Sequence, residues 1–93
     1  PKFPAVVRDL AVVVDEGVTC AQMEACIVKS CKAAKKAELF DVYRGIRLGA
    51  DKKSMAFHIT FVPEEKAITP ELADTYFKKI VDGLNKNLGA ELR

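Results

Sequence analysis

Apolar residues fall on alternate positions along two stretches near the middle of the chain, from Phe40 to Arg44 and from Ser54 to Phe61. That is the period of a strand with one buried face. Between them lies RGIRLGADKK, where Gly45 and Gly49 permit tight turns and Arg44, Arg47, Lys52 and Lys53 concentrate positive charge. The two stretches read as a hairpin from about Glu38 to Val62. Antiparallel pairing would set Tyr43 opposite Ser54, Asp41 opposite Ala56 and Leu39 opposite His58. In the second strand Met55, Phe57, Ile59 and Phe61 share the parity of a core, which leaves Ser54, Ala56, His58 and Thr60 to the other face.

The flanking segments supply the rest of a domain. A strand from about Val6 or Arg8 to Val14 is apolar on both sides, with Leu10, Val12 and Val14 facing one way and Ala11 and Val13 the other. That suits a central strand. Asp15, Glu16 and Gly17 form a turn, and Thr19 with Gln22 makes a capping-box pair. The spacing of Met23, Cys26, Ile27, Cys31 and Ala34 predicts a helix running to about Lys36. Lys29, Lys32, Lys35 and Lys36 crowd its end and read as a solvated, dipole-matched terminus rather than a phosphate contact.

After the hairpin, Pro63 to Lys66 is a polar connector, and Thr69 followed by Pro70 marks a second helix start. Leu72, Tyr76, Ile80, Leu84 and Leu88 recur every four residues, widened by Ala73, Phe77 and Val81, up to a C-cap at Gly89. Ala90 to Arg93 is a short last strand, with Leu92 inward and Glu91 and Arg93 outward. The order strand, helix, strand, strand, helix, strand is that of an α+β, ferredoxin-like βαββαβ sandwich. It implies a four-stranded antiparallel sheet in the order 4-1-3-2 with two helices on one face. The other face is left open. Tyr43, Asp41 and Leu39 would flank it, Ala11 and Val13 would floor it, and Arg93 would lie beyond.

With 93 residues, 49% of them hydrophobic and 30% charged, the chain suits one domain spanning 1–93 with a small core. No apolar run approaches the roughly 20 residues of a membrane-spanning helix, and no signal peptide is expected ahead of the fold. Pro1 followed so soon by patterned sequence fits either a removed initiator Met or excision from a longer protein, and excision is the preferred reading. A net charge of +2 does not by itself imply a nucleic acid, so any such argument rests on where the charges cluster. Cys20, Cys26 and Cys31 fit neither a CxxC nor a zinc pattern, and the lone His58 is distant in sequence. They read as reduced, partly buried thiols of a cytosolic protein, and no metal site is legible.

The open face carries the chemistry. A shallow sheet surface with one accessible aromatic beside a basic hairpin suits a single-stranded loop of nucleic acid. Bases can stack on Tyr43 while Arg44, Arg47, Lys52 and Lys53 meet phosphates. The bland reading makes Tyr43 a packing residue and the loop a soluble hairpin tip. KSMAFHIT also matches part of the RNA-recognition-motif consensus, at Lys53, Ala56 and Phe57. Phe57 has the buried parity, so that match does not supply an exposed platform.

Taken together, KFPAVVRDLAVVVDE, LFDVYRG, KKSMAFHITF, the Thr-Pro-Glu helix start and the final LGAELR resemble the ferredoxin-fold anticodon-binding domain. In bacteria this domain closes the β subunit of phenylalanyl-tRNA synthetase. The resemblance covers essentially the whole chain and keeps the order and spacing of every block. It implies docking on the anticodon stem-loop of phenylalanine tRNA, with catalysis in a separate α subunit of an α2β2 assembly in the cytoplasm. That parent enzyme would use ATP and Mg²⁺, with no cofactor in this fragment. By position the resemblance carries Tyr43 and Ser54 over as tRNA contacts, and makes Arg8 and Asp9 guides for the start of the first strand. Arg44, Lys53, Arg47 and Lys52 join as phosphate candidates from charge and place. Met55 and His58 stand where the family often has Leu and Arg, so His58 replaces a fixed charge with a mostly neutral ring at pH 7.

Other readings of the fold fare worse. An acylphosphatase needs an Arg-bearing anion cradle after strand one, where this chain has Asp15-Glu16-Gly17-Val18. A copper chaperone needs two Cys at that turn, where only Cys20 stands. No Ser/His/Asp or Cys/His constellation is legible. The alternative of a different class is a structural or regulatory module that uses its sheet face for dimerisation or a small ligand. Salt separates the two, because counterion release makes RNA binding fall steeply as salt is added, whereas apolar association does not fall.

Overall fold

A computed structural model describes residues 3–93. Its elements are β1 (Val6–Asp15), α1 (Cys20–Ser30), β2 (Ala34–Tyr43), a 3₁₀ turn (Ile46–Leu48), β3 (Lys52–Phe61), α2 (Pro70–Leu88) and β4 (Glu91–Leu92). The sheet order is β2-β3-β1-β4 with every neighbouring pair antiparallel, the expected ferredoxin-like α+β arrangement. Leu10, Val12 and Val14 of β1 and Met55, Phe57, Ile59 and Phe61 of β3 pack beneath Met23 and Ile27 of α1 and Ile80 and Leu84 of α2. Both helices therefore bury one sheet face and leave the other open.

Local chemistry explains the helix starts. Thr19 Oγ1 accepts from the Gln22 amide at 3.1 Å while Gln22 Oε1 accepts from the Thr19 amide at 2.9 Å, so two otherwise orphaned donors are satisfied. At α2, Thr69 Oγ1 accepts from the Leu72 amide at 3.1 Å, and Pro70 occupies the first turn, where a missing N–H costs nothing. Gly89 ends α2 at φ 66°, the left-handed geometry that a side chain would disfavour. Thr19→Ala is expected to cost about 1 kcal/mol of stability. A urea midpoint unchanged from wild type would refute that role for the cap.

Three sequence expectations need correction. The first helix stops at Ser30 rather than near Lys36, because Cys31 is already extended (φ −146°) and Ala34 pairs with Phe61 in the sheet. The Ala33 carbonyl also accepts from the Val62 amide at 2.9 Å. Long-range ladder bonds thus override the helical spacing of Cys31 and Ala34. Only Lys29 remains in the last turn of the helix, and Lys35 and Lys36 belong to β2.

The hairpin register holds near its tip, with Tyr43 opposite Ser54 and Asp41 opposite Ala56. It then slips. Leu39 faces Phe57, and Glu38 rather than Leu39 faces His58. Two bulges make Lys35 and Phe40 the extra residues of β2, and such bulges re-aim side chains. Leu39 accordingly packs against the core. Finally, Leu92 has the inward parity opposite Val12, but β4 is an edge of two residues and Leu92 is 54% exposed. Ala90 is the buried member of that segment.

Candidate nucleic-acid interface

On the open face, Tyr43, Ser54 and Arg93 form one constellation. Arg93 follows β4, and its amide donates to the Ala11 carbonyl at 3.0 Å, which anchors it beside β1. Its side chain crosses the floor where Ala11 and Val13 are short. Nη1 donates to Ser54 Oγ at 3.1 Å, and the guanidinium carbon lies 5.1 Å from the Tyr43 ring centroid. That distance is within cation–π range. Tyr43 is 45% exposed, while Ser54 beneath Arg93 is only 3% exposed.

Gly45 completes the seat of the ring. A Cβ there would fall 2.5 Å from the Tyr43 hydroxyl oxygen and 2.8 Å from Cζ, so the backbone can approach the ring only because the side chain is absent.

Two of the four hairpin cations are paired with acids at the end of β1 and in the turn after it. Arg44 Nε donates to both Glu16 carboxylate oxygens at 3.0 and 2.9 Å, and Lys52 Nζ lies 2.6 Å from Asp15 Oδ1. The Glu16 amide also donates to the Asp51 carbonyl at 2.8 Å, tying the β1–α1 turn to the hairpin. Hydrogen bonding to Arg44 holds the Glu16 carboxyl below its ordinary range, and Asp15 raises the Lys52 ammonium. A lowered carboxylate contributes stability above its unfolded-state pKa and loses it as pH falls through the lowered folded value. The Glu16–Arg44 pair is therefore expected to open on the acid side. A carboxyl titration by NMR should put Glu16 below the ordinary carboxylate midpoint in wild type and move it up in Arg44→Ala. Identical midpoints in the two proteins would contradict the pairing.

The six sequence-derived site residues thus separate. Tyr43 and Ser54 come together, with Arg93 between them. Arg44 and Lys52 are held by acids. Arg47, exposed on the 3₁₀ turn, makes no ion pair among the described residues. Lys53 does not belong to this face. It sits opposite Val14 with helix-side parity and is 8% exposed, and its charge acts on Glu16 and on Cys20 at the start of α1. Counting back from the hairpin tip shows why: Lys53 has the same parity as Met55. Arg8, on the helix face, reaches Asp74 of α2 at 3.0 Å, whereas Asp9, on the open face, meets His58.

Sequence reasoning missed two features here. Arg93 was expected only to lie beyond the floor, although its outward parity and the short residues at 11 and 13 were visible signals. Alternation alone makes Phe40 part of a regular strand. In the structure its ring stacks on His58 with centroids 3.8 Å apart and planes 8° apart, and His58 Nδ1 lies 2.6 Å from Asp9 Oδ1.

Cys20 and Cys26 are half-buried and Cys31 buried, all as free thiols. Burial and then Glu24 push the Cys20 thiol up, away from the reactive thiolate. Among the described residues no group of three or more His, Cys, Asp or Glu is placed to hold a metal ion. No helix among them is long and apolar enough to cross a membrane.

Comparison with known proteins gives a consistent picture. A family model described as the ferredoxin-fold anticodon binding domain matches residues 1–93. The phenylalanine–tRNA ligase beta subunit of Geobacillus kaustophilus is 39% identical over 94 residues, covering 100% of this chain and 12% of the relative. The subunits of the same name from Anaeromyxobacter dehalogenans and Lactococcus lactis are 42% and 43% identical, again with 100% of this chain and 12% of each relative covered. The chain thus spans about an eighth of the length of these curated relatives.

Proposed function

The chain belongs to the ferredoxin-fold anticodon binding domain family, and from that premise we propose that it grips the anticodon stem-loop of phenylalanine tRNA with its open sheet face. It would do so as part of a cytoplasmic phenylalanine–tRNA ligase β subunit, in an α2β2 enzyme whose α subunit catalyses aminoacylation. The observation that carries this reading is the exposed Tyr43 ring, seated against Gly45 and beside Arg93 on a sheet face free of helices. One base of a splayed loop can stack on Tyr43. Ser54 comes within reach of RNA only when Arg93 leaves it, so the guanidinium is the group that would exchange a hydroxyl partner for a phosphate or base edge. Arg47 is the hairpin cation most ready to meet a phosphate. Arg44 and Lys52 must first release Glu16 and Asp15.

ATP and Mg²⁺ belong to the chemistry of the parent enzyme. The residues of this chain do not fit them, because the turn after β1 presents Asp15 and Glu16 rather than an anion cradle, and both acids are already occupied by cations. The role of this chain is to bind and orient tRNA.

The test is a titration with the cognate anticodon stem-loop against a scrambled-anticodon control, at two salt concentrations. Preference for the cognate loop that weakens with salt supports the reading. Equal affinity for both loops reduces the surface to a generic basic one. No binding at low salt, together with a stable dimer, favours a structural module that pairs through its sheet.

A further inference from the structure

At the far end of the open face, the bulge between Leu39 and Asp41 turns Phe40 onto the same side as His58. Phe40 is 48% exposed, and the His58 side chain 40%. Each ring covers one face of the other, and the pair is a half-exposed aromatic stack on the open face rather than part of the core, with its outer surfaces left for a further ring. Asp9 fixes it, since a carboxylate only accepts: Nδ1 of His58 carries the hydrogen, and in the neutral ring Nε2 is left as an acceptor.

The surroundings indicate what such a platform takes. Glu38 stands opposite His58 in the ladder, 3.8 Å from Lys36 Nζ, while Asp9 is bonded to His58 and Asp41 follows Phe40 on the open face, so three acids meet one lysine there. These acids repel phosphate but accept hydrogen bonds from the amino groups of bases. A flat nucleobase fits, and a backbone phosphate does not. The spacing adds a constraint. From Ser54, beside Tyr43, to His58 is four residues of strand, about 13 Å at roughly 3.3 Å per residue. Stacked nucleotides rise only about 3.4 Å. Bases on Tyr43 and on this platform would therefore not be neighbours in one stack, as expected for a loop whose bases are splayed apart.

We propose that the Phe40–His58 pair, held by Asp9, is a second stacking station, taking another base of the same RNA loop that meets Tyr43. This rests on the function proposed above and goes beyond it by assigning a separate end of the sheet to a separate nucleotide.

The experiment places 2-aminopurine at one anticodon-loop position at a time and follows its fluorescence on binding to wild type, Tyr43→Ala, Phe40→Leu and His58→Ala. Two distinct loop positions should respond. One should lose its response in Tyr43→Ala and the other in Phe40→Leu or His58→Ala, each with an affinity loss of about tenfold. Thermal unfolding of each variant identifies any that fail to fold. In that event the His58 ring signals of the wild-type protein replace them, and these should shift when RNA is added. Phe40→Leu and His58→Ala that bind like wild type, while Tyr43→Ala still weakens binding, would overturn the second station and leave the first intact. His58 signals unmoved by bound RNA would overturn it equally. RNA binding that no variant alters would remove both.

Discussion

Phe57→Ala should lower the unfolding free energy by about 3–5 kcal/mol, the range for emptying a fully buried aromatic site. Phe57 has no exposed surface and lies between Leu10 of β1 and Leu39 of β2 in the sheet, beneath the helices. Domains of this kind are stable by about 5–15 kcal/mol, so the variant should unfold at a much lower urea concentration. Phe57→Leu removes less volume and should cost less. The pair also decides a functional question, because the segment around Phe57 partly matches an RNA-binding consensus that would make its ring a base platform. A platform residue changed to Leu would lose RNA affinity and keep its stability. Burial predicts the opposite outcome: a shifted urea midpoint, with RNA affinity unchanged wherever the protein is folded.

Tyr43→Ala is the complementary case. Its ring is exposed and belongs to no core cluster, so stability should change little while RNA affinity falls about five- to 150-fold, the effect of about 1–3 kcal/mol of base stacking. Tyr43→Phe should keep most of the affinity, since the stacking face survives. Gly45→Ala should act in the same direction as Tyr43→Ala with the ring still present, because the new methyl would occupy the space of the hydroxyl end of the ring. An affinity in Gly45→Ala equal to wild type would mean that the seated position of the ring is irrelevant to binding. Titrations with the cognate stem-loop, alongside urea midpoints for each variant, measure all of this.

These two residues show how far patterning reaches. Period-two alternation placed Phe57 in and Ser54 out, and the turn glycines with the cap residues Thr19 and Thr69 placed the element boundaries around them. The same rule, applied one residue earlier, would have put Lys53 on the helix face. Its charge groups it with the rest of the loop, which hides that parity. The end of α1 was not legible, because helical spacing at Cys31 and Ala34 is a local signal and the strand pairing that overrides it is not. The bulge at Phe40 was equally hidden: one added residue leaves no mark in composition, yet it reverses the facing of Lys36 to Leu39, until the second bulge at Lys35 restores it for Ala34. Arg93 could have been found from its parity, but its hydrogen bond to Ser54 depends on the short floor between them and on a crossing of β1 that only the assembled sheet defines.

The bulges have a consequence beyond register. β2 is an outer strand of the sheet, and a long flat outer strand invites a second copy to add its own strand alongside. Here the extra residues Lys35 and Phe40 interrupt the regular ladder, and Lys35, Lys36 and Glu38 line the strand with charge. Another chain approaching β2 would meet a bent, charged border rather than an even row of donors and acceptors. The irregularity that brings Phe40 to the open face thereby also guards the protein against edge-to-edge aggregation.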